Sequence, residues 1–100
     1  MGFIKAIVKR PDEPIGHAAN ISGNLEALQK NVGGYIEAVT ISPDIVVLCN
    51  EEGRLLDLPY NCTIDGIDFF GTLVFLGANG EEFCDIPLTR QEYIKRFFKN

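Results

Sequence analysis

Residues 35–50, YIEAVTISPDIVVLCN, hold two runs rich in β-branched and apolar side chains on either side of Ser42-Pro43. A link this short joins only antiparallel neighbours, so the sequence predicts a hairpin of strands Tyr35–Ile41 and Asp44–Asn50. In the second run Ile45, Val47 and Cys49 face one way and Val46 and Leu48 the other. Apolar side chains on both faces mark a central strand, because a strand with one wet face would alternate. Immediately upstream, Gly33-Gly34 closes a predicted helix in which Leu25, Leu28 and Val32 form one stripe and Ser22 or Asn24 supplies the cap. Further upstream, Phe3–Lys9 reads as a strand with Ile4, Ala6 and Val8 on one face and the lysines on the other. Pro11–Pro14 is a turn, and residues 15–21 form a short edge strand.

Downstream, Asn50–Gly53 is a turn, residues 54–58 are a strand or a single helical turn, and 60–68 read as mostly irregular. Phe69–Leu76 is a strongly apolar strand broken at Gly71. Asn79-Gly80 turns the chain, and Glu82–Ile86 returns as a further strand. A second helix starts on a Thr89/Glu92 capping box and carries a stripe of Tyr93, Ile94, Phe97 and Phe98. Lys95, Arg96 and Lys99 lie near its negative end. Strand runs with two separated helices imply an α+β domain: two layers, with a mostly antiparallel sheet of about five or six strands.

One hundred residues, 46% hydrophobic and 23% charged, suffice for a single domain spanning 1–100. Nine basic residues against fourteen acidic ones, a net charge of −5, exclude a nucleic-acid binder that relies on clustered cations. The acids are also too few and too dispersed to imitate a duplex, which carries about one charge per 1.7 Å. The N-terminal apolar run is interrupted at Lys5, so neither a signal peptide nor a membrane span is expected. Cys49, Cys62 and Cys84 form an odd set without a CxxC pair, as expected of reduced thiols in a cytoplasmic protein.

The segments Asn24–Gln29 (NLEALQ), Val32–Glu37 (VGGYIE) and Cys49–Gly53 (CNEEG) together resemble an uncharacterised family, a domain of unknown function found in bacteria and especially in their phages and mobile elements. Leu58–Asn61, Gly71-Thr72 and Glu82–Asp85 extend the resemblance over roughly residues 3–90. It implies a small cytoplasmic accessory protein and assigns no catalytic residue.

Among the chemistries open to this chain, nucleophilic catalysis would need a Cys or Ser beside a base, and His17 is the one histidine. A Cys49/His17 pair stands against the reading of Cys49 as a small buried thiol and His17 as an exposed loop imidazole. Dispersed Cys and His provide no zinc pattern, and the Glu51-Glu52 turn lacks the alternation of a calcium loop, so no metal and no cofactor is expected. Gly33-Gly34 runs from helix to strand, the wrong direction for a phosphate cradle.

The candidate ligand-binding set is Asn50, Glu51, Gly53, Asn61, Gly71 and Thr72: amides and a hydroxyl beside glycines, able to read a small polar, nucleotide-like ligand. The competing reading gives both asparagines to turns. The function expected is a non-enzymatic accessory protein of a phage or mobile element, acting in counter-defence against the host through a protein partner or by sequestering a small polar ligand. The alternative is a small hydrolase or transferase using Glu51, Asp85 or the Cys/His pair. Phe97-Phe98, read as exposed, points to a homodimer.

Overall fold

The computed structural model describes residues 2–98. Strands β1 (Phe3–Lys9), β2 (His17–Ser22), β3 (Ile36–Ser42), β4 (Ile45–Asn50), β7 (Leu73–Asn79) and β8 (Glu82–Cys84) form one sheet. Its order is β2-β1-β7-β4-β3, every pairing is antiparallel, and β8 lies along the far half of β7 in line with β1. Strands β5 (Tyr60–Ile64) and β6 (Ile67–Phe70) form a separate ribbon. Helices α1 (Leu25–Val32) and α2 (Arg90–Phe97) complete an α+β fold of the expected class, with cover on both faces of the sheet where two layers were expected.

Registry explains why β4 and β7 sit inside. Phe75 pairs with Ile7 on one side and Val47 on the other, and Val74 pairs with Val8 and Leu48. Successive residues point to opposite faces, so these pairs lay one apolar row on each face of the sheet. All six residues of β4 are buried, as its two-faced pattern predicts.

One face is covered by α1 through Leu28 and Val32. The Asn24 side chain accepts from Ala27 N–H at 2.8 Å, and Gly33 at φ 80° takes the left-handed position that ends the helix. Leu25, expected on the same stripe, sits in the first turn outside this cluster and is exposed.

The opposite face is covered by α2 and by the ribbon, through Tyr93, Ile64 and Phe69. That ribbon corrects the irregular reading of residues 60–68. Asp65-Gly66 is a hairpin signal in its own right, and both residues have positive φ, 51° and 79°, as a primed turn requires. The apolar run from Phe69 is likewise two strands in two sheets, separated at Gly71 with φ 79°. Residues 54–58 form turns, with neither strand nor helix.

Lys9, on the face it shares with Phe3 and Ile7, is 3% exposed because the ribbon and the end of α2 close over it. One further expectation is overturned, the exposure of Phe97 and Phe98. Phe97 and Phe98 pack around Phe75 and Tyr93 with ring separations of 5.3–6.5 Å, so the two aromatics are half-buried against the core rather than exposed. The Thr89/Glu92 capping box forms as expected, whereas Lys99, placed near the helix end, lies outside the described residues.

Candidate functional site

The loop from Asn50 to Pro59 is built by backbone bonds. Gly53 N–H donates to the Asn50 carbonyl, Leu56 N–H to that of Glu52, and Leu58 N–H to that of Gly53. Asn50 organises its start: its Oδ1 accepts from Glu52 N–H at 2.8 Å and its Nδ2 donates to the Val32 carbonyl at the end of α1. The loop leans on the ribbon at Gly53, where a β-carbon would lie 3.2 Å from the Phe70 carbonyl oxygen. At its far end the Pro59 carbonyl accepts from Gly71 N–H.

Asn61 occupies a bulge between Tyr60 and Cys62, which turns its side chain inward. Its Nδ2 donates to the carbonyls of Lys9 and Gly71 at 2.9 and 2.8 Å, and its Oδ1 accepts from Lys9 Nζ at 2.7 Å. Asn50 and Gly53 are therefore joined within the loop, and Asn61 and Gly71 form a second group on the inner side of the ribbon. Both amides are engaged by protein atoms, in the turn-building manner of the competing reading. Glu51 projects from the loop, exposed, and Thr72 is half-buried at the start of the central strand.

The pairs on which catalysis would depend are held apart. His17 on β2 and Cys49 on β4 are separated by two intervening strands, about 14 Å at the usual spacing. His17 Nδ1 is instead 2.8 Å from Glu13 Oε2, and Glu13 is kept below the ordinary carboxyl value chiefly by the Arg10 backbone N–H it accepts from. Asp85 lies beside Gly77, opposite the start of β4, and Glu51 follows the other end of that strand, roughly 20 Å away. Among the described residues no group of three His, Cys, Asp or Glu side chains converges as metal ligands would, and no helix is long and apolar enough to cross a membrane.

Burial pushes the Cys49 thiol up from its ordinary 9.0 to about 11, with Glu37 adding to the effect. Because folding disfavours the thiolate, the stability this group contributes is full below pH 9.0 and is lost as pH rises towards 11. Iodoacetamide at about pH 8 is accordingly expected to spare Cys49 in the folded chain and to modify it in urea. Equal rates in the two states would return Cys49 to the list of candidate nucleophiles.

Between the loop and the ribbon runs a trough of about 550 Å³ whose walls include Glu37, Glu51, Glu52, Asp68, Leu55 and Ile67. Arg54 crosses it, stacked on the Phe70 ring at 4.9 Å and 3.8 Å from Asp68. A neighbouring depression brings Tyr35 beside Leu56. Leu55 is 83% exposed, Tyr35 69%, Leu56 55% and Tyr60 54%. The sequence does not mark Leu55 and Leu56 as a surface, because they have no periodic context there. The available signal was two leucines in a turn bounded by Glu51-Glu52-Gly53 and Asp57.

One protein family has a sequence model, described as Domain of unknown function (DUF3846), that matches residues 4–99. The chain belongs to this family. No curated protein and no solved structure matches it. The DUF3846 match takes in both helices, the sheet from Ile4 onward, the ribbon and the 50–59 loop.

Proposed function

We propose that this chain is a non-enzymatic binding module that docks a protein partner on the surface formed by the 50–59 loop and the β5–β6 ribbon. The observation that carries this reading is that Leu55 and Leu56, exposed on a loop held by its own hydrogen bonds, share their two depressions with the exposed Ile67 and Tyr35. Exposed apolar side chains gathered in one place mark interaction surfaces, and a preorganised loop loses little entropy on binding. Glu37, Glu51, Glu52 and Asp68 face the single cation Arg54 around the trough, so the fitting partner presents apolar side chains flanked by Lys or Arg. Four carboxylates, and two asparagine amides already engaged, favour such a partner over a nucleotide-like anion. An accessory role in a phage or mobile element, and a cytoplasmic location, belong to the same reading and rest on the sequence motifs and the free cysteines.

Selection of displayed peptides on the whole chain tests it. Enriched sequences are expected to carry Leu or Phe beside Lys or Arg, and to lose at least about tenfold in affinity for a Leu55→Asp/Leu56→Asp variant. The variant should unfold within about 0.5 kcal/mol per substitution of the parent, since both side chains are exposed. Peptides that bind the variant equally well, or that are acidic, would overturn the proposal.

A further inference from the structure

On the face of the sheet that α2 and the ribbon cover, the cover stops short of β2. What remains is a cleft of about 390 Å³ between β1–β2 and the segment leading into α2. Its floor follows from registry: Ile7 pairs with Ala18 and Lys5 with Asn20, so these four side chains form one patch on one face. Ile86 and Leu88 wall it, and Arg90 stands at its rim. The segment is fastened from both ends, by Ile86 N–H on the Lys5 carbonyl at 2.9 Å and by Arg90 Nη2 on the Gly16 carbonyl at 3.0 Å. The small side chain of Ala18 leaves the floor open; a β-branched side chain, the usual choice in a strand, would stand up into the cleft.

The charge of this cleft opposes that of the molecule. The chain carries a net −5, yet the lining contains Lys5 and Arg90 and no acid. Asp85 lies outside that lining, and one of its oxygens accepts the Lys5 backbone N–H at 2.8 Å. Among the described residues neither Lys5 nor Arg90 forms an ion pair. The bond from Arg90 to Gly16 uses one of five guanidinium donors and leaves the rest of the fork for an anion. The volume lies at the small end of the ligand-pocket range of about 300–1,000 Å³, and the walls are mainly apolar.

We infer that this cleft binds a small amphiphilic carboxylate, whose apolar body lies on Ala18, Ile7, Ile86 and Leu88 while its carboxylate meets Lys5 and Arg90. The site is independent of the loop-and-ribbon surface and lies across the sheet from it, at the β2 edge rather than the β3 edge.

Titration of the whole chain with sodium octanoate, followed by calorimetry and by the methyl resonances of Ala18 and Ile86, tests the inference. Saturable binding tighter than about 1 mM is expected, with both resonances shifting. Octan-1-ol and octylammonium, which lack the anion, and acetate, which lacks the body, should each bind at least about tenfold more weakly. Lys5→Gln and Arg90→Gln should each cost about tenfold in octanoate affinity, and Ala18→Leu should abolish binding by filling the floor. Lys5 and Ala18 are exposed, so their variants remain folded; Arg90→Lys, keeping the charge, should restore part of what Arg90→Gln loses. Failure of octanoate to saturate, equal binding of octan-1-ol, or indifference to Lys5→Gln and Ala18→Leu would each overturn it.

Discussion

Asn61→Ala is expected to destabilise the fold by about 3–5 kcal/mol, lowering the thermal midpoint by more than about 12 °C. One amide holds three partners: the Lys9 amino group, the Lys9 carbonyl and the Gly71 carbonyl. All are enclosed, and Lys9 is 3% exposed, so water cannot replace what the substitution removes. Each orphaned buried group costs about 1–3 kcal/mol, which is why the effect exceeds that of an ordinary lost hydrogen bond. The Lys9→Met background separates the contributions. There the amine needs no partner, so Asn61→Ala should cost about 1–2 kcal/mol less, leaving the two carbonyls to account for the remainder. Urea unfolding of the four proteins in this cycle measures it. A single-variant loss below 1 kcal/mol would mean that the ribbon is not tied to β1 through this residue.

Tyr93→Ala should be comparably severe, about 3–5 kcal/mol, for a different reason. The ring is fully buried and is the hub of an aromatic cluster, 4.9 Å from Phe75, 5.8 Å from Phe97 and 5.3 Å from Phe98. It is the one fully buried side chain by which α2 is anchored to the sheet. Tyr93→Phe keeps the ring and loses only the 2.7 Å bond from its hydroxyl to the Ile15 carbonyl, so about 1 kcal/mol is expected. The contrast between the two substitutions distinguishes packing from hydrogen bonding. Release of α2 by Tyr93→Ala should also quicken alkylation of Cys62, which lies under the same layer. If Tyr93→Phe proved as damaging as Tyr93→Ala, the hydroxyl tether to the 11–16 turn would outweigh the aromatic cluster.

Local signals in the sequence reported truly wherever the residues that decide a conformation are close together. Asn24, Thr89 with Glu92, and Gly33 each set a helix end through atoms a few positions away. The two-faced pattern of Ile45–Asn50 likewise reported a strand with neighbours on both sides and layers on both faces. Alternation left the burial of Lys9 open because it is decided by Asn61 and Phe98, distant in the chain. Phe97 and Phe98 misled for the same reason, since their partner Phe75 lies on a strand whose place in the sheet is not local information. The ribbon was overlooked although Asp65-Gly66 signals it, because the bulge at Asn61 breaks the alternation of its first strand. Of the candidate site residues, position and turn chemistry were legible. The exposure of Leu55 and Leu56 was not, because nothing local states that no layer passes over them.

Strand β7 has a consequence for how this protein is made. It separates two hairpins, β1–β2 and β3–β4, that are otherwise complete by Asn50 and have no other strand between them. Until residues 73–79 leave the ribosome, both hairpins present an unpaired inner edge, and the sheet lacks its middle. The order of synthesis is thus the reverse of the order of need: the keystone arrives after the walls. The chain must close in a single late, long-range step, the kind that is slow and leaves strand edges open to other molecules in the meantime. For a domain of this size, the interval between synthesis of Asn50 and synthesis of Asn79 is where quality control in the cell has the most to do.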